Sequence, residues 1–378
     1  VSTPIVQTDA LSGTLAVALR GAQGALERDF ARLVAHTGRA QVARVARGHD
    51  VAAAVQASRA ERVILYLPLS TLVDALAGLL ASARVLPELV AVVPVARRSL
   101  RRLPPSMALL DWCLAPTRFG VRALQAAWPE PLEGEGQGAT TTRFTVVSPG
   151  VDLLTYGPLS DPHDPHALGL RRARARRALL PRLRGSALGL WVLHASPADP
   201  GARLGVALKG FARFAQRAPA STRFVLNAPR AELHAHGPML DALAPHLVFT
   251  LPDDPGAPLS DASLDLLYNA CEVGVSTSGP CAWSQRVADH AATGAVQVLP
   301  DHTCFAEAWT GAARLLHVEA GRQVDPGAVA DALGALIMDP AARQRSALAC
   351  LAAARAMGAG FSEWDRLLGA RFTPPSAP

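Results

Sequence analysis

The chain has 378 residues, half of them hydrophobic and only 5% aromatic, with a formal net charge of +6. That length suits two domains of ordinary size, with cores filled mainly by Ala, Leu and Val. The positive balance is arginine's, since Lys209 is the only lysine, and such an excess does not by itself indicate a nucleic-acid binder.

The five cysteines, Cys113, Cys271, Cys281, Cys304 and Cys350, form no CxxC pair and no Cys/His metal spacing. Scattered in this way they read as reduced, mostly buried thiols. The first 13 residues show neither a basic start nor an apolar h-region, so no signal peptide is expected. The most apolar window, 71–96, is broken by Asp74, Arg84, Pro87 and Glu88. A membrane span needs about 20 mostly apolar residues. A soluble, cytoplasmic protein is the expectation.

In chain order, TLAVALRG (14–21) reads as a strand and 25–38 as a helix ending at Gly38. A strand over 39–47, a short helix from Asp50 and the buried run ERVILYLPL follow. Next come a helix over 70–85, the strand LVAVVPVA, a shorter strand near MALLDWCLA and the amphipathic helix TRFGVRALQAAW. RFTVVSPGVD is the last strand of this half, after a glycine-rich acidic loop at 129–142. The segment 156–166, dense in Pro, Asp and Gly, reads as an interdomain linker, and a basic helix follows it. From 187 a second series begins: strand 187–195, helix 203–218, strands 221–228 and 246–252, then helix 260–270 and strand CEVGVSTS. Helix 284–293, strand AVQVLPD and several helices complete it. Repeated β–α alternation predicts parallel, doubly wound sheets. The expected divisions are an N-terminal domain over 1–158, linker and basic helix over 159–186, a C-terminal domain over 187–360, and a crossover helix and tail over 361–378.

Several segments carry a family resemblance. TVVSPGVDLLTYGP, ALKGFARFAQRAP, LYNACEVGVSTS and FSEWDRLLGARF stand in the order of corresponding motifs in glycosyltransferase family 4 (group 1). The chain resembles most the subgroup found in large DNA viruses and some bacteria. The resemblance implies a GT-B fold, two Rossmann-like domains facing across a cleft. It also implies a nucleotide diphosphate sugar as donor, a glycan or lipid-linked acceptor, transfer with retention, and no metal cofactor.

The resemblance further implies a donor pocket made of Arg203, the loop Ser276 to Ser284 and Asp289. In that loop it singles out Ser276, Thr277, Ser278, Gly279, Cys281 and Ser284. Departures from the family pattern fall in this same region. Gly201 and Ala202 stand where an Arg–Lys pair belongs, leaving Arg203 as the cation. Cys281 replaces the first of two glutamates eight positions apart, reading as a packing thiol or a nucleophile, and Asp289 replaces the second, reading as an acceptor for the ribose hydroxyls or as an exposed helix acid. Pro280 removes a backbone N–H, Trp283 adds bulk, and Ser148–Pro149 replaces Pro–His at the domain junction. The alternative implied by these departures is a catalytically inactive relative kept for binding, scaffolding or assembly.

Other residues admit two readings each. Gly21 and Gly24 match an acceptor-side loop, or simply a turn. His163 and His166, with Asp161 and Asp164, have metal-like spacing or form a solvated loop. His290 and His302 border the pocket, and Glu307 reads as a structural cap. The clusters Arg97, Arg98, Arg101, Arg102 and Arg171, Arg172, Arg174, Arg176, Arg177 read as contacts for an anionic membrane surface or as solvated helix faces. With no aromatics interleaved, nucleic acid is not the expected partner. Nothing in the sequence fixes an oligomeric state.

Overall fold

The computed structural model describes residues 5–6, 14–19, 41–128, 142–183, 189–250 and 259–358, apart from 46, 49, 59, 68, 83–85, 94–101, 196–199, 229 and 320. Two compact units divide the chain at Gly150 and Val151.

The first unit is built on seven strands: β1 (Ile5–Val6), β2 (Thr14–Leu19), β3 (Gln41–Val45), β4 (Arg62–Tyr66), β5 (Glu88–Val92), β6 (Trp112–Ala115) and β7 (Arg143–Val146). Their order is β1-β3-β2-β4-β5-β6-β7. All neighbours are parallel except β1, which pairs antiparallel with β3 through Ile5 and Arg44. Helices α1 (Asp50–Ser58), α2 (Leu69–Ser82) and α3 (Arg118–Ala127) accompany the sheet. The five residues of β4, RVILY, are all buried, as expected of a strand covered on both faces. Thr117 starts α3 by accepting a hydrogen bond from Gly120 N at 3.1 Å. The two-residue β1 was not foreseen; it is too short to carry a period and exists through its pairing with β3.

The second unit opens with α4 (Pro165–Leu183) and contains a six-stranded sheet. Its strands are β8 (Trp191–His194), β9 (Arg223–Leu226), β10 (Leu247–Phe249), β11 (Val273–Val275), β12 (Val296–Pro300) and β13 (Arg314–Leu316). The order is β10-β9-β8-β11-β12-β13, all parallel. This is the Rossmann order, in which the connection reverses direction between the first and fourth strands. Here that reversal falls between β8 and β11, and their carboxyl ends lie side by side. Around the sheet lie α5 (Leu204–Ala215), α6 (Gly237–Ala242), α7 (Asp261–Ala270), α8 (Gln285–Ala292), α9 (Thr303–Trp309), α10 (Pro326–Met338) and α11 (Pro340–Gly358). The edge strand β13 and the short helical turns over 230–246 were not anticipated. Three residues, RLL, show no periodicity of their own and become a strand only by pairing with β12.

Two glycines allow close approaches. A Cβ on Gly210 of α5 would lie 2.6 Å from Val329 Cβ of α10, so the two helices meet at that point. A Cβ on Gly274 of β11 would lie 2.7 Å from His290 Nδ1, so the strand leaves room for the imidazole.

The basic helix departs from a solvated face. Arg176 of α4 is buried, donates to Ala270 O at 2.8 Å and Gly189 O at 2.7 Å, and pairs with Glu272. Its guanidinium lies 4.9 Å from the Trp191 ring centroid. Arg172 donates to Gly294 O at 2.8 Å. These two arginines tie α4 to the second sheet, while Arg171, Arg174 and Arg177 are exposed. Of the other cluster, Arg102 is exposed and Arg97, Arg98 and Arg101 lie outside the described residues. Also outside them are the helix expected at 25–38, the loop at 129–141, Gly21 and Gly24, and the closing helix at 361–372.

Asn269, from the LYNACEVG motif, has a structural task. Its Nδ2 donates to Gly157 O at 3.0 Å and its Oδ1 accepts from Leu159 N at 3.2 Å, fastening the segment that precedes α4. Asp161 and Asp164 accept from backbone N–H groups of His163, His166 and Ala167, which is turn and cap chemistry. Among the described residues no group of three or more His, Cys, Asp or Glu side chains is placed to hold a metal ion. Among them also, no helix is long and apolar enough to cross a membrane.

Candidate functional site

The reversal of strand order puts the segments after β8 and β11 next to each other. Crevices at such points are where open α/β sheets take ligands. Hydrogen bonds join the segments. Thr277 Oγ1 donates to Ala202 O at 2.9 Å, and Gly279 N donates to Gly201 O at 2.9 Å. Thr277 is fully buried, so its hydroxyl is spent on this link.

Arg203 lies at the centre of the arrangement. It precedes α5 with φ 52° and ψ 48°, a left-handed conformation that costs a non-glycine residue about 1–2 kcal/mol. Its carbonyl O is 3.2 Å from Thr277 Oγ1, and Val206 N donates to the same carbonyl at 2.9 Å. The side chain runs over Gly279, and Nη1 donates to Arg322 O at 3.4 Å. Ser276 Oγ and Ser278 Oγ are 2.9 Å apart in the same loop, and Ser278 N donates to Ser276 Oγ at 3.3 Å. Arg203, Ser276, Thr277, Ser278 and Gly279 are thus brought together, with one cation, the two serine hydroxyls, the threonine hydroxyl that ties the segments, and a glycine that leaves the backbone open.

The remaining expected residues sit differently. Ser284 precedes α8 without a side-chain cap. Cys281 faces α9: its N donates to Thr303 Oγ1 at 3.4 Å, and its Sγ is 3.1 Å from Cys304 Sγ. Asp289 is buried at 4% exposure and is not the exposed helix acid of one sequence reading. Its Oδ1 accepts from Gln285 Nε2 at 2.9 Å, and Gln285 Oε1 accepts from Trp283 Nε1 at 2.8 Å. Trp283, Gln285 and Asp289 therefore form one chain of hydrogen bonds along the start of α8.

His290 belongs to the core. It lies 5.4 Å from the Tyr268 ring, with Nε2 3.2 Å from Cys271 O, and burial lowers its pKa to about 4. His302 Nδ1 is 3.2 Å from Thr303 Oγ1, and Glu307 is exposed on α9.

Two side chains were not foreseen. Arg286, in the first turn of α8, donates from Nη1 to Ala195 O at 2.6 Å, which brings a second guanidinium to the tip of β8. His194, the last residue of β8, is buried, and among the described residues neither ring nitrogen closes a hydrogen bond of good geometry. Burial holds its pKa down at about 4, with the charge of Arg286 acting in the same direction. A polar residue ending an apolar strand at the reversal point was the available signal for His194. Arg286 had no such signal, because its partner lies 91 residues away.

No protein-family model and no curated protein matches the sequence. Solved structures do match. Sucrose-phosphate synthase from Thermosynechococcus elongatus superposes with a TM-score of 0.67 at 11% identity, over 94% of this chain and 97% of that one. HepE of Anabaena in complex with UDP and glucose gives 0.66 at 15% identity, over 93% and 99%. Apo OtsA gives 0.66 at 12% identity, over 96% and 99%. These are GT-B proteins, and the chain has the GT-B fold, an α/β architecture of two Rossmann-like domains.

Proposed function

We propose that this chain binds a nucleoside diphosphate sugar at the carboxyl ends of β8 and β11 and transfers the sugar to a glycan or lipid-linked acceptor. In this reading it is a retaining, metal-independent glycosyltransferase akin to family 4. The observation that carries it is Arg203, held in a strained backbone conformation with its guanidinium over Gly279. Strain of this kind persists where the surroundings enforce it, and it clusters at ligand sites. A departing nucleoside diphosphate carries charge that a fixed cation and backbone N–H groups can stabilise. Arg203 would meet the diphosphate, with Arg286 as a second cation in place of the family's Arg–Lys pair. Ser276 and Ser278 would supply hydroxyls, and Asp289 would face the ribose once freed from Gln285. Support for the nucleotide class comes from the neighbours: HepE is solved with UDP-glucose, and a trehalose-6-phosphate protein from E. coli with UDP-2-fluoro glucose.

Calorimetry with UDP, GDP and their sugars tests this. Saturable binding is expected, weakened about tenfold or more by Arg203→Ala, since a charged hydrogen bond contributes about 1.5–3 kcal/mol. Absence of binding by every nucleotide at millimolar concentration would overturn the reading.

A second reading is binding without turnover. It is favoured by Cys281, which offers a thiol held against Cys304 where relatives place a carboxylate, and by the engagement of Asp289 with Gln285. Nucleotide binding with no release of UDP or GDP across an acceptor panel would select it.

A further inference from the structure

Cys281 and Cys304 are 23 residues apart in sequence, yet their Sγ atoms are 3.1 Å apart. Cys281 follows β11 and is half-buried, and Cys304 is buried in α9, which follows β12. A hydrogen bond from Cys281 N to the Thr303 side chain at 3.4 Å also links the loop to the start of α9. A disulfide bond is about 2.05 Å long, so the sulfurs need to approach by about 1 Å.

We infer that Cys281 and Cys304 form a redox-modification site that a low-molecular-weight disulfide such as oxidised glutathione closes into a bridge. The accessible member starts the exchange. The Cys281 thiolate attacks one sulfur of the oxidant, forming a mixed disulfide and releasing one thiolate. Cys304 then loses its proton to solvent and attacks Cys281 Sγ, releasing the second thiolate. One oxidant disulfide is reduced to two thiols, and two protein thiols are oxidised to one disulfide. The order follows from the surroundings. The hydrogen bond with Cys281 and burial hold the Cys304 thiol well above the ordinary thiol range, so it stays protonated until its partner is activated.

The bridge would join the segment containing Ser276, Ser278 and Gly279 to the start of α9. A consequence that rests on the donor-site reading is that nucleotide affinity differs between the dithiol and disulfide forms.

The test treats the full chain with oxidised glutathione, alkylates it and measures intact mass and linked peptides. Wild type should lose two alkylatable thiols, yield a peptide linking Cys281 to Cys304, and recover with dithiothreitol. Cys304→Ser should instead retain glutathione on Cys281, and Cys281→Ser should resist modification at Cys304. A stable glutathione adduct on wild type without the linkage, or five thiols still alkylatable, overturns the site. UDP is then titrated into both wild-type forms. A reversible difference in affinity supports the coupling, and equal affinities overturn it. If neither form binds UDP, GDP or their sugars, the donor-site reading and the coupling fail, while the mass result still decides the redox site.

Discussion

The guanidinium of Arg203 lies so close to Gly279 that an added Cβ would come within 3.1 Å of Nη2, 3.3 Å of Cζ and 3.4 Å of Nε. The left-handed backbone at 203 and the bare backbone at 279 are therefore parts of one arrangement. Arginine is directed across the tips of two strands, and a side chain at 279 would push its guanidinium aside by a few tenths of an ångström.

Gly279→Ala should displace the guanidinium without unfolding the protein, because the far end of a flexible side chain can move aside. The expected result is a loss of nucleotide affinity of about tenfold with little change in melting temperature, read by calorimetry and thermal unfolding.

Arg203→Gly should separate stability from binding. Glycine adopts the left-handed conformation freely, so the exchange should stabilise the fold by up to about 1 kcal/mol while nucleotide binding weakens about tenfold or more. Denaturant unfolding alongside a nucleotide titration checks both signs; a destabilised variant that still binds nucleotide would contradict the assignment.

At the contact between α5 and α10, Gly210→Ala should destabilise the second domain by about 1–3 kcal/mol, because the new methyl overlaps Val329. Urea unfolding reads this loss. A compensating Val329→Ala should recover part of it.

The arginines of α4 should divide by burial. Arg176→Met removes the donor to the Ala270 and Gly189 carbonyls and the cation paired with Glu272 Oε1, and should cost about 3–5 kcal/mol. Arg171→Ala and Arg174→Ala change exposed side chains and should alter stability by less than about 0.5 kcal/mol. The exposed pair is thus the clean probe of liposome or RNA association. Arg172→Ala is not, since its guanidinium holds Gly294 O.

Acid should weaken the second domain through buried imidazoles. His194 and His290 have pKa values lowered from 6.5 to about 4 by burial, so the folded state resists their protonation. Stability they contribute is complete above pH 6.5 and is lost as pH falls toward 4, by at most about 3 kcal/mol each. Asp265 acts in the opposite sense: burial raises its pKa from 3.8 to about 6, so its contribution is complete below 3.8 and lost as pH rises through 6. Urea unfolding at several pH values should show the net decline, and His194→Leu should remove one share of it.

The alternation of strands and helices was legible because each element declares itself locally. The run RVILY has a buried strand's continuous apolarity, and Thr117 and Ser260 mark helix starts three residues ahead of the N–H groups they accept from. Among candidate site residues, Arg203 and the loop 276–279 were legible as a set through their resemblance to a known motif order. What the resemblance left undetermined was the state of each side chain. Asp289 reads as an acid on a helix, and its partner Gln285 is one turn away, but its burial depends on what packs over α8. Arg176 reads as one of five cations on a surface helix and is in fact buried against Trp191, Ala270 and Glu272.

By itself, the sequence determined most of the succession of elements and the two-domain plan, and it singled out the loop proposed here to meet the donor. These follow from hydrophobic period and turn chemistry, which act over a few residues. Only the tertiary structure decided that β8 and β11 are neighbours, that Arg286 reaches Ala195, and that two cysteines 23 positions apart touch. Pairing between distant strands is set by burial of the whole sheet, and that energy is not written in any one segment.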